Sequence, residues 1–270
     1  MHGTSHRRSR ASLTSLFEIH RGQGPLLATS LHDAHEVRES LLPFLALSDA
    51  DRLREEDPFT GQWTTICPNR ILPRRSRFEV DLNRPPAQAV YRAPSDAWGL
   101  TVWRTPLPDA AVRTSMHEYR AYYAAVLELL EELEASYGKF VVLDLHSYNH
   151  RRAGAHEPPA AQEQNPDINV GTGSLDRSRF GHVVDRFITD LRAHEVEGRP
   201  LDVRENVRFQ GGYLCRWVHE QFPVTGCVLA IEVKKFFMDE WTGEPHPRAM
   251  SAVHAALAAT IPGLLEELTR

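Results

Sequence analysis

Apolar residues along this chain follow two periods, and the switches between them predict the elements. After the turn signal Gly24-Pro25, the run Leu26-Leu27-Ala28-Thr29-Ser30-Leu31 predicts a short buried strand ending at His32. Arg77-Phe78-Glu79-Val80-Asp81-Leu82 alternates polar and apolar residues before Pro85-Pro86, which predicts a strand with one polar face. From His117 to Tyr137 the apolar positions recur at helical spacing, with Gly138 as the C-terminal stop. Lys139 to Leu145 follows with the core Phe140-Val141-Val142-Leu143, the pattern of a central parallel strand buried on both faces. It leads into Asp144-Leu145-His146-Ser147. The stretch Arg151 to Gly173 is rich in Pro, Gly, Asn and Ala and reads as a long surface loop. A helix is expected from Ser174 to about His194, and Gly211-Gly212 marks a tight turn before another short helix. Gly226-Cys227-Val228-Leu229-Ala230-Ile231-Glu232-Val233 predicts a second apolar strand, and a helix from about Arg248 to Leu268 follows.

Strands alternating with helices argue an α/β fold, a sheet flanked by helices on both faces. The chain has 270 residues, of which 41% are apolar, enough for one sizeable core, so a single domain over residues 21–270 is expected. Residues 1–20 read as a flexible N-terminal tail, because the basic, polar stretch His2 to Arg10 precedes no apolar signal-peptide core. The formal net charge is −5 with acids and bases interspersed, which argues against a nucleic-acid footprint or a membrane surface. The apolar runs look too short to span a bilayer. Cys67, Cys215 and Cys227 form no CxxC pair and are odd in number, which fits a reducing cytoplasm.

In open α/β sheets the active site forms beyond the C-terminal ends of the strands. His32, His146 and Glu232 all fall at such ends. Two histidines and a carboxylate suit a catalytic zinc, which keeps one coordination position open. Any one of fourteen histidines chosen blindly would be a plain core or surface residue; the strand-end placement singles out His32 and His146. Asp144, two residues before His146, could orient a ligand from behind. The carboxylate ligand stays open between Glu55-Glu56-Asp57 ahead of Pro58, a segment that could equally be a solvated turn or a helix cap, and Glu36; His35 and Glu36, close to His32, could also reach a metal. His35-Glu36-Val37-Arg38-Glu39 lacks the second histidine of HExxH. Glu232, between Ile231 and Val233, is the candidate general base if burial raises its pKa, and otherwise an ion-pair partner of Lys234 or Lys235. Arg77, Arg84 and Arg216 are candidates to grip a substrate carboxylate. No phosphate loop, nucleophile elbow or dinucleotide fingerprint is present.

From about Leu27 to Glu240 the chain resembles the N-formylglutamate amidohydrolase family. Ser76-Arg77-Phe78-Glu79-Val80-Asp81-Leu82-Asn83-Arg84 is similar to the family signature ending in DLNR, and Asp144-Leu145-His146-Ser147 to its second histidine motif. Pro166-Asp167-Ile168-Asn169-Val170-Gly171-Thr172 and Gly211-Gly212-Tyr213 with Arg216 also fit. At the first histidine the chain departs: Leu31-His32-Asp33-Ala34-His35 stands where the family has Pro-His-Ser/Ala-Gly. The resemblance implies a mixed sheet between helices, like the zinc carboxypeptidases (phosphorylase/hydrolase-like). It implies one Zn2+ held by His32, an acid and His146, with Asp57 the best match for the acid and Glu56 next. Glu232 would be the base, with Arg84 catalytic and Arg77, Asn83, Arg84 and Arg216 binding substrate. The expected partner is a small N-acyl amino acid, N-formylglutamate or another, or a peptide. The rival readings are a carboxypeptidase-like peptidase and a non-catalytic zinc-containing protein that captures carboxylated ligands.

Overall fold

The computed structural model describes residues 16–270. Nine strands and seven α-helices run in chain order: β1 Phe17–His20, β2 Leu26–Thr29, α1 Asp49–Glu55, α2 Thr60–Trp63, β3 Asn69–Pro73, α3 Asp109–Tyr137, β4 Phe140–Tyr148, β5 Ile168–Gly171, α4 Arg177–Arg192, β6 Glu195–Val196, β7 Arg199–Pro200, β8 Val203–Glu205, α5 Tyr213–Gln221, β9 Gly226–Lys234, α6 Pro247–Ala259 and α7 Ile261–Leu268. Seven strands make one mixed sheet in the order β1-β3-β2-β4-β9-β5-β8, and β6 and β7 form a separate hairpin. The four central strands are parallel, with β1 antiparallel to β3 and β5 antiparallel to β9.

The period of two along β4 and β9 explains the layering. Val141, Leu143, Leu145, Cys227, Leu229 and Ile231 face a core built with Phe180, Val183 and Phe187 of α4, Val253 and Leu257 of α6 and Leu264 of α7. The intervening Val142, Val228 and Ala230 face Tyr122, Val126 and Leu130 of α3 and Leu214 and Val218 of α5. Both faces are covered, which is why these strands read as continuous apolar runs.

Several expectations are corrected. Residues 17–20, assigned to the tail, form β1 against β3; residues 1–15 lie outside the described residues. Arg77–Leu82 is a turn, not a strand. Its polar residues close local rings, Phe78 N–H donating to Ser76 Oγ and Asn83 N–H to Asp81 Oδ1, which compete with a ladder. The hydroxyls of Tyr119 and Tyr123 on α3 pin this turn at the carbonyls of Arg84 and Leu82. The loop expected over 151–173 contains β5, whose Asn169 bonds the backbone of Arg208 and Phe209. The C-terminal helix is interrupted at Thr260, where Pro262 removes a helical donor. That Pro247–Leu268 stretch is long and apolar enough to cross a membrane by composition, contrary to the sequence reading. It is placed as a core element, with α6 and α7 both against α4.

One packing detail has a pH consequence. His219 on α5 accepts the buried Val228 N–H through Nε2 at 3.0 Å, and burial lowers its pKa from 6.5 to about 4. The unfolded chain therefore binds more protons between these values, so stability is complete above about pH 6.5 and falls as the pH drops toward 4. The loss is up to about 3 kcal/mol. Denaturant midpoints measured across this window should fall more steeply for the native chain than for His219→Gln; parallel curves would remove His219 from this role.

Candidate active site

β4 and β9 run in register, with His146 beside Glu232 and Asp144 beside Ala230, so both acids and the histidine fall on the α3 side of the sheet. His32 follows the end of β2, the other neighbour of β4. Asp57 lies between α1 and α2, where Pro58 disfavours a continued helix. Its backbone N–H donates to the carbonyl of His32 at 2.8 Å, which ties the two segments together.

These placements bring three buried side chains to one point. Asp57 Oδ2 is 3.0 Å from His146 Nδ1 and 3.4 Å from His32 Nδ1, and one ligand atom from each residue lies within 4.8 Å of the others. The far nitrogens are held from behind. His32 Nε2 is 2.8 Å from Asp81 Oδ1; His146 Nε2 is 3.0 Å from Asp144 Oδ1 and 3.3 Å from the Asn83 amide. Imidazoles that donate at Nε2 turn their Nδ1 lone pairs toward Asp57, an arrangement of three converging acceptors that holds a cation. A proton can be that cation. Burial opposes charge on both partners, yet Asp144 and Asp57 raise the His146 pKa well above its usual value, and the imidazoles hold Asp57 far below the carboxylate range. The same three acceptors also suit a divalent ion, with Asp81 and Asp144 behind the two imidazoles. Two histidines and a carboxylate with carboxylates behind them is the donor set of a catalytic zinc.

The cluster lies in a pocket of about 240 Å³ that Glu232, Arg77, Asn83 and Arg84 also line. Burial among Asp57 and Asp144 pushes the Glu232 carboxyl up to about 8. The alternative ion pair is not formed: Lys234 Nζ lies 2.8 Å from Asp167, and Lys235 Nζ donates to the carbonyls of Arg54 and Glu56. Asn83 is wedged between His146 and Gly212, where an added Cβ would lie within 2.3 Å of its amide atoms and push them aside. Arg77 is tied to Asp81 at 3.0 Å, while Arg84 is 34% exposed to the pocket.

Other sequence candidates fall elsewhere. Arg216 is exposed on α5, its guanidinium over Tyr213, and does not line the pocket. Glu56 is turned toward His35, Ser76 and Arg52, and Glu36 pairs with Arg75, so neither acid nor His35 joins the cluster. The sequence reading assigned no role to Asp81, which accepts from His32, Arg77, Tyr91 and the Asn83 backbone at once, nor to Trp98 in the pocket wall. Asp81 was visible in the DLNR motif, but the strand reading turned it outward; nothing in the sequence marked Trp98 as a wall.

The model of the N-formylglutamate amidohydrolase family matches residues 24–237. The chain belongs to the N-formylglutamate amidohydrolase family. An N-formylglutamate amidohydrolase from Ralstonia eutropha JMP134 superposes with a TM-score of 0.72 at 19% identity, covering 94% of this chain and 98% of that one. A gene product from Agrobacterium tumefaciens superposes at 0.67 with 17% identity, over 96% of this chain and 98% of that one. A metallo-carboxypeptidase from Burkholderia cenocepacia matches at 0.38 with 14% identity, over 98% of this chain and 70% of that one. No curated protein sequence matches the chain. Within the family's frame, the mixed sheet between helices agrees with the fold expected from the motifs, and the DLNR segment is the turn that backs both histidines through Asp81 and Asn83.

Proposed function

We propose that this protein hydrolyses the amide bond of an N-acyl amino acid, N-formyl included, using one Zn2+ held by His32, Asp57 and His146. The observation that supports this most is the convergence of three buried ligand atoms beside Glu232 on the pocket floor. When bound, the ion supplies a Lewis acid that polarises the amide carbonyl and lowers the pKa of water. Glu232 takes the water's proton and delivers it to the departing nitrogen. A partly buried carboxyl that faces the pocket, with no cation bonded to it, is suited to both steps. Asp81 and Asp144 keep the imidazoles oriented. Arg84, partly open to the pocket, grips the substrate carboxylate. Arg77, fixed by Asp81, supplies positive charge where the oxyanion develops.

A zinc-loaded activity screen over formyl, acetyl and peptidyl amino acids tests this reading. Release of the free amino acid from N-acyl substrates, lost on chelation, is expected. Cleavage confined to C-terminal peptide bonds would make the protein a peptidase, and bound zinc with no turnover of any substrate would make it a binding protein.

A further inference from the structure

The pocket walls carry information about the substrate that the zinc cluster does not. Four cationic side chains line the cavity: Arg77, Arg84, Arg152 and Lys235. Three are already engaged. Arg77 is paired with Asp81 at 3.0 Å. Arg152 sets Nη1 and Nη2 against the two carboxylate oxygens of Glu55 at 3.3 and 3.2 Å. Lys235 is buried, with Nζ donating to the carbonyls of Arg54 and Glu56 and its charge facing Asp57 and Glu55. Arg84 has only a 3.8 Å approach to Asp81 and a 3.5 Å contact to the Asp96 carbonyl. Arg84 is therefore the lining cation with the loosest contacts and the one best placed to take a substrate carboxylate. A second carboxylate would have to displace Glu55, which Arg54 and Asn149 also hold at 3.0 and 3.2 Å.

The remaining walls are aromatic. Trp98 is 49% exposed, and the Arg77 guanidinium lies 4.7 Å from its ring centroid. Its backbone is left-handed, with φ 55°, a conformation that costs a bulky residue about 1–2 kcal/mol. The residue closes the short 3-10 turn Pro94–Ala97, and its ring meets the buried Tyr91 edge-on at 6.1 Å between centroids, so the rest of the indole stands open in the pocket wall. Phe209 lines another wall, held by its ring contact with Tyr148 and by Asn169 at its carbonyl.

We infer that the substrate is an N-acyl amino acid with a single carboxylate, taken by Arg84, and an apolar or aromatic side chain that lies on Trp98 and Phe209. This rests on the hydrolase reading of the same pocket. It places acidic side chains, glutamate among them, outside the preferred class: burying a second carboxylate without a cation is strongly disfavoured.

The experiment compares kcat/KM of the zinc-loaded protein for N-formyl-phenylalanine, -leucine, -alanine and -glutamate. Phenylalanine and leucine should exceed glutamate and alanine by about tenfold or more. Trp98→Ala should lower the phenylalanine-to-alanine ratio about tenfold, and Trp98→Phe should retain most of it. Glutamate equal to or above phenylalanine, or a ratio unchanged in Trp98→Ala, would overturn the side-chain assignment while leaving the hydrolase reading intact. No turnover of any of the four by zinc-loaded protein would overturn both.

Discussion

Glu232→Gln is expected to lose about 10²–10⁴-fold in kcat, the range that a positioned general base contributes, while binding the metal as the native chain does. The substitution keeps the size of the side chain and removes only its ability to take a proton. It breaks no ion pair, because Lys234 and Lys235 are bonded elsewhere, and it leaves His32, Asp57 and His146 in place. The pH profile carries a second signature. Protein surroundings push the Glu232 carboxyl up to about 8, and a divalent ion nearby favours the carboxylate and moves it down. A base works only when ionised, so native kcat/KM should fall with decreasing pH below the Glu232 pKa, and the residual rate of the variant should lack that limb. Steady-state kinetics with elemental analysis of the same preparation checks both. Activity close to native would exclude Glu232 as the base.

The parts of this molecule that were legible in the sequence are those whose environment is simple. β4 and β9 are buried on both faces, so their apolar runs stand out, and the residues at their ends, His146 and Glu232, could be found from the strands alone. Segments whose polar residues are satisfied by distant partners were misread. Ser76, Glu79 and Asp81 are fully buried, yet their alternation with Phe78, Val80 and Leu82 mimics an amphipathic strand. Their partners are Glu56, Arg38 and His32, twenty or more residues away. β3 was invisible because Asn69 and Arg70 dilute its apolar character, Asn69 being used to bond the backbone of Gly24 and Leu26. Asp57 could not be chosen over Glu56 from composition, since adjacent acids differ only in where the turn before Pro58 aims them; the family resemblance made that choice, and the geometry gathers Asp57 with the two histidines. Arg216 shares its neighbourhood with a glycine turn that does reach the pocket, but lies on the outer side of the helix that follows.

The second large effect concerns the metal, and it bears on the central claim that one Zn2+ at His32, Asp57 and His146 drives amide hydrolysis. Without His146 the donor set falls to two, below the three protein ligands of a catalytic zinc, and Asp144 is left buried without the imidazole beside it. His146→Ala is thus expected to lose its zinc and its turnover together. The direct measurement strips the native chain with a chelator and then titrates it with zinc, recording release of the free amino acid from an N-formyl amino acid that the native chain turns over, with His146→Ala beside it. Expected are no activity in the stripped protein, a linear rise that levels off at about one equivalent, and no rise in the variant. Turnover that survives chelation, or a variant that regains activity with zinc as the native chain does, would contradict zinc-driven hydrolysis at this site.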